Sequence, residues 1–261
     1  YSRWADGHQG GESEKVIGTW LKTRGKRDDV VIATKVGKDM GGDKKGLRKD
    51  YVERAVDASL KRLQTDYIDL YQSHEDDLTL PVEEPLETFG ALIKAGKVRA
   101  IGASNFGGAR LDAALVAAQK NGLPRYESLQ PHYNLVERKE FESDLSPVCR
   151  KHKLGVIPYF ALASGFLTGK YRSEQDFAKS VRGEDAQQYL NPRGRAVLAA
   201  LDEVASRHNA TPAQVALAWL MTRVTAPIAS ATSIAQLNDI MKSATLKLSD
   251  GDLGALDKAS A

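Results

Sequence analysis

The chain has 261 residues, 42% of them hydrophobic and 27% charged, with a net charge of +3. Those values fit one large globular domain or two small ones, and a small, dispersed charge gives no reason to expect nucleic acid as a partner. No apolar run approaches the ~20 residues that span a bilayer, and the single cysteine, Cys149, excludes an internal disulfide and a cysteine-based zinc site.

No signal-peptide pattern opens the sequence, so a reducing, cytoplasmic setting and no membrane partner are expected. Taken in chain order, β-rich runs fall at 30–36 (VVIATKV), 67–73 (YIDLYQS), 98–103 (VRAIGA), 126–130 (YESLQ), 155–159 (GVIPY) and 226–230 (APIAS). Helical patterns lie between them. From Asp50 to Leu63 the pair Asp50 and Glu53 reads as a capping box, with Val52, Val56, Leu60 and Leu63 on one stripe. Residues 82–95 carry Val82, Leu86, Phe89 and Ile93 at helical spacing and stop at Gly96, a glycine suited to the position after a helix. Two later helices open on Thr211-Pro212 with Gln214 and on Ser233 with Gln236, again as capping boxes.

Strands separated by crossover helices must run parallel. A parallel sheet needs cover on both faces, which leaves a closed barrel or an open doubly wound sheet. No G-x-G-x-x-G follows a strand, and this weighs against the open dinucleotide-binding sheet. The stretch GFLTGKY has three residues between Gly165 and Gly169, and Tyr171 where a P-loop needs Ser or Thr, so it is not a phosphate loop. With no linker or low-complexity stretch, residues 1–261 read as a single domain.

Polar residues collect at the ends of the predicted strands. Lys35 closes VVIATK, His74 follows YIDLYQS, Ser104 and Asn105 follow VRAIGA, Gln130 ends YESLQ, and Tyr159 ends GVIPY. In a (β/α)8 barrel those ends converge on one rim, where active sites are built. Each has a plainer explanation: a solvated lysine, a helix cap at Ser104-Asn105, rim packing at Gln130 and Tyr159. Glu75, Asp76 and Asp77 read as a solvated loop, and no second histidine at ligand spacing supports a metal site with His74.

The stretches YSRWADGHQGGESEKVIG (1–18), VVIATKVG, DYIDLYQSH, AGKVRAIGASNF, SLQPHYNLVER and FLTGKY together resemble the aldo-keto reductase family, in its order and over essentially the whole chain. The resemblance implies a (β/α)8 barrel that binds NADP(H) without a Rossmann motif and reduces small-molecule aldehydes or ketones. It assigns Tyr1 as the proton donor, Lys35 as the group that lowers the tyrosine pKa, and His74 as the residue that orients the carbonyl oxygen. It further assigns Ser104, Asn105 and Gln130 to the nicotinamide carboxamide, Tyr159 to stacking on its ring and Lys170 to the pyrophosphate. Ser230, Thr232, Gln236 and Asp239 fall to the adenosine end.

The family's fourth catalytic residue is the aspartate of a D-T-A-x-x-Y motif, which belongs five residues before Tyr1. Six strand ends are visible where a closed barrel needs eight. Two further βα units at ~30 residues each correspond to roughly 50–60 residues upstream, so the expectation is a barrel with its first strands absent from the given chain. Phe160-Ala161-Leu162 replaces the usual Ser-Pro-Leu, Ala229-Ser230 replaces Pro-Gly, and Ile240 stands for Asn. Thr232 stands where many members carry Arg or Lys for the 2′-phosphate; NADP(H) remains the expected cofactor over NAD. The alternatives are a cofactor-binding regulatory module, since potassium-channel β subunits share the fold and tetrad, and a barrel hydrolase or lyase using the carboxylates after His74. Substrate identity and oligomeric state are not encoded in any of these motifs.

Overall fold

The computed structural model describes residues 7–180 and 182–261. By internal contacts the chain divides into two compact units, residues 1–129 with Arg150–Leu154, and Gln130–Cys149 with Gly155–Ala261.

The first unit alternates helix and strand: α1 (Glu12–Arg24), β1 (Ala33–Val36), α2 (Lys49–Leu63), β2 (Ile68–Ser73), α3 (Glu83–Lys94), β3 (Val98–Ser104), α4 (Gly108–Asn121) and β4 (Tyr126–Gln130, whose last residue opens the second unit). These strands follow one another in the sheet as β1-β2-β3-β4. β1 and β2 are parallel with Lys35 opposite Gln72, and β2 and β3 are parallel with Gln72 opposite Gly102. The expected strand boundaries at 67–73, 98–103 and 126–130 hold to within one residue, whereas 30–36 forms only its last four residues.

The helices bury most of the stripes their spacing predicts, with Leu60 and Val82 only half-buried. Val52, Val56 and Leu63 of α2 are buried, as are Leu86 and Phe89 of α3. On α3 it is Leu92 and not Ile93 that completes the buried face. Phe89 meets Tyr71 edge-on at 5.9 Å, and Tyr126 receives both Phe89 and Phe106, at 6.5 and 5.5 Å. Edge-to-face pairs of this kind add about 0.5–1.5 kcal/mol each beyond their burial. Gly96 ends α3 at φ 74, a left-handed backbone that glycine adopts without steric cost.

The expected capping box of α2 does not form. The helix begins one residue earlier, at Lys49 behind Arg48, so Asp50 lies inside the first turn. Its carboxylate accepts from Arg54 at 2.9 Å, a pairing at i,i+4 within the helix.

In the second unit the elements are β5 (Gly155–Val156), α6 (Gly183–Gln187), α7 (Pro192–His208), α8 (Pro212–Met221), α9 (Ile234–Met241) and α10 (Asp250–Ser260), with α5 (Ser146–His152) crossing between the units along the chain. The α8 box is present in full: Gln214 N donates to Thr211 Oγ1 at 3.3 Å and Thr211 N to Gln214 Oε1 at 3.4 Å. At α9 only the hydroxyl half forms. Ser233 accepts from Gln236 N, but the Gln236 side chain accepts from Thr232 N instead of Ser233 N.

The predicted strand at 226–230 is not a strand. Thr225 N and Ile228 N donate to Val156 O and Pro158 O, both at 3.0 Å. Pro227 and Pro158 have no N–H to continue a ladder, so β5 also stops at Val156 instead of Tyr159. The polar segment 171–195 holds a 3-10 turn over Glu174–Lys179, then α6 and the start of α7. A Ser173–Asp176 capping box starts that turn.

Candidate active site

The first unit gathers Lys35, His74, Ser104 and Asn105 at the C-terminal ends of adjacent strands. Lys35 is the third residue of β1, and His74 N donates to Val36 O at 2.7 Å, carrying the β1–β2 pairing one residue past β2. Asn105 follows β3 at φ 54, a left-handed conformation that asparagine tolerates better than most residues. Its Nδ2 donates to His74 O at 2.8 Å and to Ser104 Oγ at 3.3 Å. The ends of β2 and β3 are thereby tied together by a side chain.

Lys35 and His74 are half-buried, and the surroundings set their charge. Burial lowers the Lys35 ammonium to about 8, since removing water penalises the charged form. His74 is lowered to about 4, by burial first and then by the positive charges of Lys35 and Lys38. At neutral pH the site thus presents a charged lysine beside an uncharged imidazole. Both line a cavity of about 110 Å³ that also reaches Glu14, Thr34 and Arg62. There Glu14 is 8% exposed and accepts from Thr34 Oγ1 at 2.7 Å and Arg62 Nε at 2.6 Å, which fixes the residue immediately before Lys35.

The carboxylates after His74 are built into the structure instead of lying in solvent. Glu75 accepts from Lys38 at 2.7 Å, and Asp76 takes a two-pronged bond from Arg110 at 2.7 and 2.9 Å. Asp77 accepts from Leu47 N at 2.9 Å and from Thr79 Oγ1 at 2.6 Å. Sequence reasoning missed these braces because their partners are 30 or more residues away along the chain, save Thr79. Among the described residues no group of three His, Cys, Asp or Glu side chains could hold a metal ion.

In the second unit Gln130 is 5% exposed at the end of β4. Tyr159, half-buried, stacks on His132 with ring centroids 5.2 Å apart and planes 17° off parallel. His132 stands two residues after Gln130 in the QPHYN stretch, and that proximity is the one sign of it in the sequence. Lys170 is exposed, with Nζ 3.5 Å from Ser180 Oγ and 4.8 Å above the Tyr171 ring.

Of the residues assigned to the adenosine end, Thr232 and Gln236 meet: Thr232 N and Oγ1 both donate to Gln236 Oε1 at 2.9 Å. Asp239 turns elsewhere and accepts from Thr211 Oγ1 at 3.1 Å and Gln214 Nε2 at 2.6 Å, bracing the start of α8. Ser230 is exposed. Tyr1 lies outside the described residues.

Donor chemistry gives a test of whether these residues suit a nicotinamide cofactor. A carboxamide offers one acceptor oxygen and two N–H donors; the Ser104 hydroxyl and Asn105 amide of the first unit, and separately the Gln130 amide of the second, are of types that complement both. A flat aromatic ring, Tyr159, suits the pyridine. The residues fit.

A model of the aldo/keto reductase family matches residues 4–261. The chain is 37% identical over 226 residues to the aldo-keto reductase YhdN of Bacillus subtilis, covering 84% of this chain and 66% of that protein. It is 34% identical over 251 residues to the uncharacterized oxidoreductase YrpG of the same organism, covering 93% and 76%. To the norsolorinic acid reductase of Aspergillus flavus it is 30% identical over 266 residues, covering 98% and 66%. The chain thus spans about two thirds to three quarters of the length of these relatives.

Proposed function

The chain belongs to the aldo/keto reductase family, and on that premise we propose that it reduces the carbonyl of small aldehydes or ketones with NADP(H), Tyr1 serving as the general acid. Membership carries the (β/α)8 barrel fold and oxidoreductase chemistry. Among the described residues no helix is long and apolar enough to cross a membrane, and a single domain in a cytoplasmic setting completes the reading.

One observation carries the proposal. Lys35 and His74 lie at the ends of neighbouring parallel strands, where burial lowers both pKa values and leaves an ammonium beside an uncharged imidazole at neutral pH. Carbonyl reduction needs a proton delivered to oxygen as hydride reaches carbon. A phenol of pKa about 10 is a reluctant acid, and an adjacent ammonium lowers that pKa by stabilising the phenolate. Lys35 keeps its proton at neutral pH and supplies that charge to Tyr1. His74, uncharged, donates an N–H to the carbonyl oxygen and holds it in line without competing as an acid. A bound nicotinamide supplies the hydride.

For the cofactor, each unit has its own share. Ser104 and Asn105 serve the carboxamide from the first; Gln130, Tyr159, Lys170, Ser230, Thr232, Gln236 and Asp239 serve from the second. Asp239, already bonded to Thr211 and Gln214, would act by holding α9 to α8, and the Thr232–Gln236 pair would hold the adenosine end.

Loss of NADPH absorbance with a reactive aromatic aldehyde tests the proposal. The wild-type chain should give many turnovers per molecule. Tyr1→Phe should lower the rate at least about a hundredfold while leaving NADPH affinity nearly unchanged. Unchanged turnover removes Tyr1 from the mechanism, and binding of NADPH without turnover by the wild type would establish the regulatory-module alternative instead.

A further inference from the structure

We propose that His132 is a positioning residue of this site, the aromatic backing that fixes the Tyr159 ring as a platform for the nicotinamide. The inference rests on the assignment of Tyr159 to the nicotinamide made above. It concerns a side chain outside that assignment, and the observations all lie within the second unit.

The backbone forces the two rings together. Tyr159 N donates to Pro131 O at 3.0 Å, and His132 and Tyr159 form an isolated parallel bridge. Side chains paired across a parallel bridge point to the same face, and here they stack at 5.2 Å with 17° between planes. Phe160 closes the cluster edge-on, 5.5 Å from the His132 ring and 5.2 Å from the Tyr159 ring.

The cluster is held by a rigid support. Phe160 has φ 54, a left-handed backbone that a bulky residue rarely adopts. Asn134 sustains it by donating Nδ2 to Phe160 O at 2.9 Å, and the same Nδ2 lies 3.5 Å from His132 Nε2. Asn134 is itself fully buried, and its Oδ1 accepts from Val136 N and Glu137 N at 2.9 and 3.0 Å. One buried amide therefore locks the loop that carries His132 to the loop that carries Tyr159 and Phe160.

The consequence for a planar ligand is geometric. A ring has two stacking faces, and His132 occupies one face of Tyr159, so a nicotinamide stacking on Tyr159 takes the opposite one. Without the imidazole, Tyr159 loses its stacked partner, one of the contacts that fix its plane, and ordering it again on binding costs affinity. Burial also lowers the His132 pKa against the pull of Glu137 and Glu140, which leaves an uncharged ring suited to stacking.

The experiment is a fluorescence titration of the full chain, as wild type, His132→Ala and His132→Phe, with NADPH and separately with 2′,5′-ADP, which has the adenosine end and no nicotinamide. His132→Ala should weaken NADPH about tenfold, equivalent to 1.4 kcal/mol, with 2′,5′-ADP affinity unchanged. His132→Phe, which restores an aromatic face, should return NADPH affinity to within about twofold of wild type. An unchanged NADPH affinity in His132→Ala overturns the inference. So does an equal loss for both ligands, the mark of general disruption. A wild-type chain that binds neither ligand would fail the cofactor reading itself, a result distinct from either.

Discussion

At His74 the environment alters the side chain's chemistry, and that alteration can be read as stability. Its folded-state pKa of about 4 lies below the ordinary 6.5, from burial and the Lys35 and Lys38 charges. Between those two values the unfolded chain binds a proton that the folded chain refuses. By linkage, folding stability attributable to His74 is complete above pH 6.5 and is lost as pH falls toward 4. The urea midpoint of the wild type should therefore drop between pH 7 and pH 4.5 by more than that of His74→Asn. Equal drops would mean that His74 titrates normally. Positions such as Lys35 and His74 were legible in the sequence because each closes a β-rich run, and a strand's end fixes where its last side chain goes. The Asp76–Arg110 and Glu75–Lys38 pairs were not legible, since they depend on which loops the fold brings together.

At the scale of elements, periodicity predicted which faces are buried better than it predicted boundaries. The α2 and α3 stripes formed nearly as spaced, but the Asp50 box gave way to a helix start at Lys49, and prolines ended the last two predicted strands. Close helix contacts were invisible to pattern reasoning, and Gly18 is the clearest case. A Cβ on Gly18 of α1 would lie 2.2 Å from Arg62 O and 2.8 Å from Leu63 C, backbone atoms at the end of α2 that cannot rotate away. Alanine is worth about 1 kcal/mol over glycine in a helix interior, yet here α1 would have to lift off α2 and strain the Glu14–Arg62 bond. Gly18→Ala should destabilise by about 1–3 kcal/mol. Gly254 of α10 has no atom within 4 Å of its Cβ position, so Gly254→Ala should stabilise by up to about 1 kcal/mol. Opposite shifts in the denaturation midpoint are the expected result; shifts of one sign would mean that helix propensity alone governs both sites.

For the whole molecule, alternation of strand and helix was enough to indicate an α/β fold with parallel strands, and the family confirms a (β/α)8 barrel. What alternation could not supply was the division into two compact units, because contact density depends on packing between distant segments. That division makes the cofactor reading testable one unit at a time. Residues assigned to NADP(H) fall in both: Ser104 and Asn105 in the first, and Gln130, Tyr159, Lys170, Ser230, Thr232, Gln236 and Asp239 in the second. A ligand that binds the native state stabilises it by about 2.7 kcal/mol at 100 times its dissociation constant, and the protection appears where openings break ligand contacts. Amide hydrogen exchange with and without saturating NADPH should therefore slow around 103–106 in the first unit and around 159–171 and 230–237 in the second. Protection restricted to the second unit would strike Ser104 and Asn105 from the site while sparing the stack on Tyr159. Protection restricted to the first would do the reverse, and would remove the ground for His132 as well.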